Sequence, residues 1–111
     1  METIKSSTEI SRIFAQGKRL HGADIVVLVQ PNEGIHGPSG RVAFVAGKKH
    51  GNAVWRNRAK RRMREIARNL GAPWTGFDVI FIAKRSTTEQ MYSKVLHQAK
   101  TLIEEHLGGC N

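Results

Sequence analysis

KKHGNAVWRNRAKRRMREIAR, residues 48–68, sets nine Lys or Arg side chains against one acid, Glu65, a net of +8 in a chain whose total is +9. The remaining ninety residues therefore come close to neutrality. Basicity is concentrated in one segment. On a helical wheel of about 100° per residue, Trp55, Ala59, Met63, Ile66, Ala67 and Leu70 fall within roughly a third of the circumference. Asn57, Arg58, Lys60, Arg61, Arg62, Arg64, Glu65 and Arg68 occupy the rest. The spacing predicts a helix over 53–70, capped by Asn52, with Gly51 before it to turn the chain. One side of this helix is suited to a sheet and the other to water.

Strand signals lie on either side. Phe77–Lys84 (FDVIFIAK) places Phe77, Val79, Phe81 and Ala83 on one face and Asp78, Ile80, Ile82 and Lys84 on the other. Both faces are largely apolar, as in a central strand. Arg41–Ala46 (RVAFVA) and 23–30 (ADIVVLVQ) read as two further strands. The Pro- and Gly-rich Pro31–Gly40 reads as a turn or hairpin loop, which predicts that these two strands run antiparallel. Ser6 and Glu9 have capping-box spacing ahead of Ile10, Ile13 and Phe14, and Gly17 supplies a stop, giving a first helix over 7–16. A second capping-box arrangement, Ser86 to Gln90, leads into Met91, Val95, Ala99, Leu102 and Ile103 at helical spacing, ending at Gly108-Gly109. The predicted order is α-β-β-α-β-α in a single domain spanning 1–111, an α/β (α+β) sandwich with a central sheet packed by helices.

A chain of 111 residues with 40% apolar and 24% charged residues has room for one core, burying roughly 65% of the unfolded surface. The only cysteine, Cys110, excludes an internal disulfide and any Cys-based zinc site, and fits a reducing compartment. No apolar run approaches the roughly 20 residues of a membrane span, and METIKSSTEI lacks the apolar core of a signal peptide. A cytoplasmic location is expected.

Localised positive charge calls for a polyanion. Five of the six cations on the wet arc are Arg, whose planar guanidinium binds phosphate bidentately and stacks on bases, whereas Lys would serve equally well for solubility. Like charges at i, i+3 and i+4 cost an isolated helix about 0.2–0.5 kcal/mol per pair, a penalty that a polyanion removes. A plain solvated face is the competing reading. A membrane-surface helix is another, but the apolar face is needed by the core.

The run Lys48-Lys49-x-Gly51-Asn52-Ala53-Val54-x-Arg56-Asn57-Arg58-x-Lys60-Arg61-x-x-Arg64-Glu65 resembles the signature of the bacterial ribonuclease P protein subunit, with its RNR helix. The element order, Phe14-x-x-Gly17 and the chain length extend the resemblance over essentially the whole sequence. It implies a mixed sheet with a left-handed βαβ crossover, and a role as protein subunit of an endoribonuclease that removes the 5′ leader of precursor tRNA. Catalysis would belong to the RNA subunit, with Mg²⁺ held by the RNA and substrate. The implied partners are that RNA and the leader, with no membrane and no obligate protein partner. Carried over, Arg56, Asn57, Arg58, Lys60, Arg61, Arg64 and Arg68 would meet RNA, flanked by Lys48 and Lys49. Asn57 also has a plainer reading as a local hydrogen-bonding residue, and Arg62 as a side chain that snorkels over the core.

The resemblance also implies a leader cleft between the first helix and the sheet. Family members commonly place two aromatic residues on that helix. Here Phe14 occupies one position and Ile10 the other, with Ile25 and Leu28 offered by the first strand. Trp55 reads as core, and Trp74 lies in a Gly/Pro loop. His21, His36, His50, His97 and His106 have no ligand spacing, and no Asp, Glu or His cluster is spaced for metal or proton sharing. This counts against a self-sufficient nuclease. A structured-RNA-binding protein without a cleavage role is the alternative from another class.

Overall fold

The strand FDVIFIA, apolar on both faces, takes the centre of a four-stranded sheet. In the computed structural model, which describes residues 3, 4, 6–32 and 40–107, the elements are α1 (Ser7–Gln16), β1 (Lys18–His21), β2 (Ile25–Pro31) and β3 (Arg41–Val45), followed by α2 (Ala53–Asn69), β4 (Phe77–Ala83) and α3 (Tyr92–Leu107). Short 3₁₀ turns cover Lys48–His50 and Arg85–Thr87. The strand order is β1-β2-β4-β3. β4 pairs antiparallel with β2 and parallel with β3, and α2 provides the crossover between β3 and β4 that parallel pairing requires.

The expected β2–β3 pairing is therefore corrected. The two strands run in opposite directions, but β4 lies between them. A strand with apolar side chains on both faces is best buried with a neighbour on each edge, and this displaces the local hairpin. Most of the predicted loop, residues 33–39, falls outside the described residues, as does Gly108-Gly109. β1 was not anticipated. Its composition, KRLH, is that of an exposed edge strand, with Leu20 its only half-buried side chain.

Alternation along the strands divides the core in two. Ile25, Val27, Val29, Val79, Phe81 and Ala83 pack with Ala59, Met63 and Ile66 of α2 and Val95, Ala99 and Ile103 of α3. On the opposite face, Leu28, Ala43 and Ile80 pack with Ile13 of α1 and with Ile4. Gly17 lets α1 lie close to β2, since a Cβ there would come within 2.7 Å of the Ile13 carbonyl and 3.1 Å of Leu28 Cδ1. The first helix spans the predicted residues, and Ser6 Oγ accepts a hydrogen bond from the Glu9 amide at 3.3 Å. The Glu9 carboxylate turns away to Arg41.

α3 begins later than the second capping-box arrangement predicts. Thr87 Oγ1 donates to the Asp24 carbonyl at 2.5 Å and accepts from the Lys84 amide at 2.9 Å, so the Ser/Thr cluster closes a 3₁₀ turn onto the β1–β2 connection. Met91, placed on the apolar stripe by spacing, is 65% exposed. Among the described residues no helix is long and apolar enough to cross a membrane.

Candidate nucleic-acid interface

Asn52 starts α2 as its cap, its side-chain oxygen accepting from the Trp55 amide at 3.0 Å. Gly51 has an extended φ of 170°, open to any residue. Its need is space, because a Cβ would sit 2.8 Å from the Trp55 side chain. Ala59, Met63, Ile66 and Ala67 are buried as the wheel requires. Trp55 is half-buried, and its indole N–H donates to Thr88 Oγ1 at 2.9 Å.

Asn57, Arg58, Lys60, Arg61, Arg64 and Arg68 are exposed on the opposite side, with Lys48 and Lys49 exposed in the 3₁₀ turn just before the helix. Among the described residues, the only ion pair on this face is Arg68–Glu65 at 3.6 Å, between two exposed side chains. Arg58, Lys60 and Arg61 make no side-chain hydrogen bond or ion pair among those residues. Arg64, exposed, has its guanidinium carbon 5.5 Å over the centre of the Phe44 ring. Arg56 is half-buried, with its Nε shielded and without a hydrogen-bond partner among the described residues. Arg62 differs from its neighbours: its Nη1 donates to the Thr87 and Gln90 carbonyls at 3.0 and 2.6 Å, and its guanidinium sits 5.6 Å over Tyr92. It ties α2 to the start of α3.

The second region is built around α1. Strand register sets Gln30, Asp78 and Arg41 in one row, Leu28, Ile80 and Ala43 in a row of the α1 face, and Val26, Ile82 and Val45 in the next row on that face. α1 crosses the sheet beside the first row, with Gln16 accepting from Gln30 at 3.0 Å and Glu9 bonded to Arg41. Arg41 is only 6% exposed, and it donates to Asp78 Oδ2 at 3.0 Å and Oδ1 at 3.3 Å. The Asp78 bond raises the guanidinium pKa above its ordinary value, burial opposes this, and Glu9 adds to the rise. Asn32 also donates to Asp78 Oδ1, at 3.2 Å.

Ile10 and Phe14 are half-buried at the margin of the α1 cluster, together with Val45 and Ile82. The two strand positions named from sequence are corrected. Ile25 faces α2 and α3 and is fully buried in the opposite cluster, while Leu28 is on the α1 face but wholly covered, at 0% exposure. Neither offers surface to a ligand. Sequence reasoning missed Val45 and Ile82, although period-2 counting from Phe81 places Ile82 on the α1 face. It also missed Arg19, whose register partner is Leu28 and whose guanidinium lies 5.5 Å over the Phe14 ring.

The family model described as Ribonuclease P matches residues 1–106. The ribonuclease P protein component of Symbiobacterium thermophilum is 33% identical over 105 residues, covering 91% of this chain and 87% of that protein. That of Natranaerobius thermophilus is 37% identical over 94 residues, covering 83% and 78%. The solved structure of the RNase P protein from Thermotoga maritima superposes with a TM-score of 0.77 at 29% identity, covering 95% of this chain and 97% of that one. With the family match spanning nearly the whole chain and the sheet order, helices and basic α2 already in place, the chain belongs to the ribonuclease P protein component family.

Proposed function

We propose that this chain is the protein subunit of a ribonucleoprotein that removes the 5′ leader from precursor tRNA in the cytoplasm. The observation carrying this reading is the outer face of α2, where Arg58, Lys60 and Arg61 stand exposed with no carboxylate partner among the described residues. Such a face gains most from a polyphosphate, because each phosphate contact releases counterions and relieves the repulsion between neighbouring guanidiniums. Lys48 and Lys49 extend it beyond the helix start. The catalytic RNA is the partner assigned to this face.

The leader is assigned to the α1 side of the sheet, along Ile10, Phe14, Val45 and Ile82, where half-buried apolar side chains suit unstacked bases. Among the described residues no three His, Cys, Asp or Glu side chains come together to hold a metal ion. In this reading Mg²⁺ would be held by phosphates of the RNA and substrate rather than by this chain's side chains, and would supply the activation of water and the stabilisation of the leaving oxygen. The protein binds and orients.

The test incubates precursor tRNA at moderate Mg²⁺ with the protein, with a ribonuclease P RNA, and with both. Faster leader removal by the pair than by the RNA alone is the expected result. Equal rates would reduce the chain to a structured-RNA-binding protein, and cleavage by protein alone would assign chemistry to its side chains.

A further inference from the structure

β1 gives the α1 side of the sheet a cation that lies outside the basic helix. In its register with β2, Arg19 stands opposite Leu28 and His21 opposite Val26, so both project on the α1 face, while Lys18 and Leu20 project on the other. Arg19 is exposed, and among the described residues no carboxylate pairs with it. Its one described partner is an aromatic ring: the guanidinium carbon lies 5.5 Å from the centre of Phe14. Among the described residues Phe14 is the only aromatic side chain of the α1 cluster, because Phe44, Trp74, Phe77 and Phe81 pack on the opposite core.

We infer that Arg19, perched on Phe14, is a binding residue for the single-stranded leader, taking a nucleobase on its free face and a phosphate on its N–H edge. A guanidinium is planar, so the face turned from Phe14 remains able to stack, while the edge donors remain available to phosphate oxygens. The ring restricts the side chain before binding, which lowers the ordering cost that an exposed Arg otherwise incurs. A lysine in this place would keep the charge and lose the stacking plane. The leader path then runs along the apolar margin of α1 and ends at the edge strand, away from the cations of α2.

This inference rests on the assignment of the leader to the α1 side, and the test separates the two. Holoenzyme reconstituted with a ribonuclease P RNA is titrated with precursor tRNA carrying a leader of about eight nucleotides and with the same tRNA lacking it. Arg19→Ala is expected to weaken leader-bearing tRNA about five- to tenfold, leave leaderless tRNA unchanged, and reduce the slope of log affinity against log salt by about 1. Arg19→Lys is expected to restore the slope but only part of the leader preference. Arg19 lies on an exposed edge, and an unchanged melting temperature would confirm that the variants fold. Phe14→Ala provides the second arm. If it lowers leader preference while Arg19→Ala leaves the preference intact, the Arg19 role is overturned and the α1 assignment stands. If neither variant alters the preference, both are overturned.

Discussion

The outer face of α2 and the foot of α1 use the same side chain in opposite circumstances. On α2, Arg58 and Arg61 stand in water without counter-charge among the described residues. Under α1, Arg41 is 6% exposed and divides its donors between Glu9 and both oxygens of Asp78. A buried guanidinium is tolerable only if its desolvation is offset by close partners, whereas an exposed array loses stability until a partner arrives. Internally paired charge sets where α1 sits, and unpaired charge is left for binding. The contrast recurs within two adjacent residues, since Arg61 is exposed while Arg62 is bonded to two carbonyls.

Arg41→Ala should have the largest effect. It removes the partner of two carboxylates, one of them 7% exposed, and should cost about 3–5 kcal/mol of stability, read as a lower denaturant midpoint. A loss under about 1 kcal/mol would show that α1 is held by its apolar contacts alone, and the contrast would collapse.

The next pair sharpens it. Arg62→Ala should lower stability by about 1–2 kcal/mol through the loss of two charge-assisted hydrogen bonds in a half-buried site, with RNA affinity nearly unchanged at low salt. Arg58→Ala and Arg61→Ala should do the reverse, each costing about 1 kcal/mol of RNA affinity while thermal unfolding stays put. If about six of the α2-region cations touch phosphates, affinity of the unaltered protein should fall roughly 10³-fold between 50 and 200 mM salt. Equal losses of affinity at positions 61 and 62 would mean that internal bonding does not separate the two roles.

What could be read from sequence follows the same division between local and distant partners. α1 and α2 were legible to within a residue because caps and helical periodicity are properties of neighbouring residues. The position of β4 between β2 and β3 was not, since strand order is decided by competition between segments far apart in the chain. Arg41 looked like an ordinary strand residue because its carboxylate partners are 32 and 37 positions away. Ile25 was an avoidable error. Positions 25 and 28 differ by an odd number and so lie on opposite faces of one strand. Arg62 was legible as a side chain at the apolar edge, but its carbonyl acceptors belong to a turn that the Ser/Thr pattern had assigned to a helix start.

Asp24 extends the comparison to an acid, with the smallest expected effect. It lies in the β1–β2 connection, where Gln98 of α3 donates to its Oδ2 at 2.6 Å and accepts from its amide at 2.8 Å. A hydrogen bond from Ser86 and then the one from Gln98 hold its pKa below the usual carboxylate range; burial opposes them, and Lys84 and Lys94 assist. The folded state thus favours the ionised form. Its contribution is full above the unfolded pKa of about 4 and is lost as pH falls through the lower folded value. Asp24→Asn should therefore be less stable than the unaltered protein at pH 7, with the gap narrowing as denaturation is followed down to pH 2.5. A gap that stays constant over that range would mean that what the amide loses does not depend on the ionisation of the carboxylate. Charge would then be incidental at this joint, and the β1–β2 connection would be held to α3 by hydrogen-bond geometry alone.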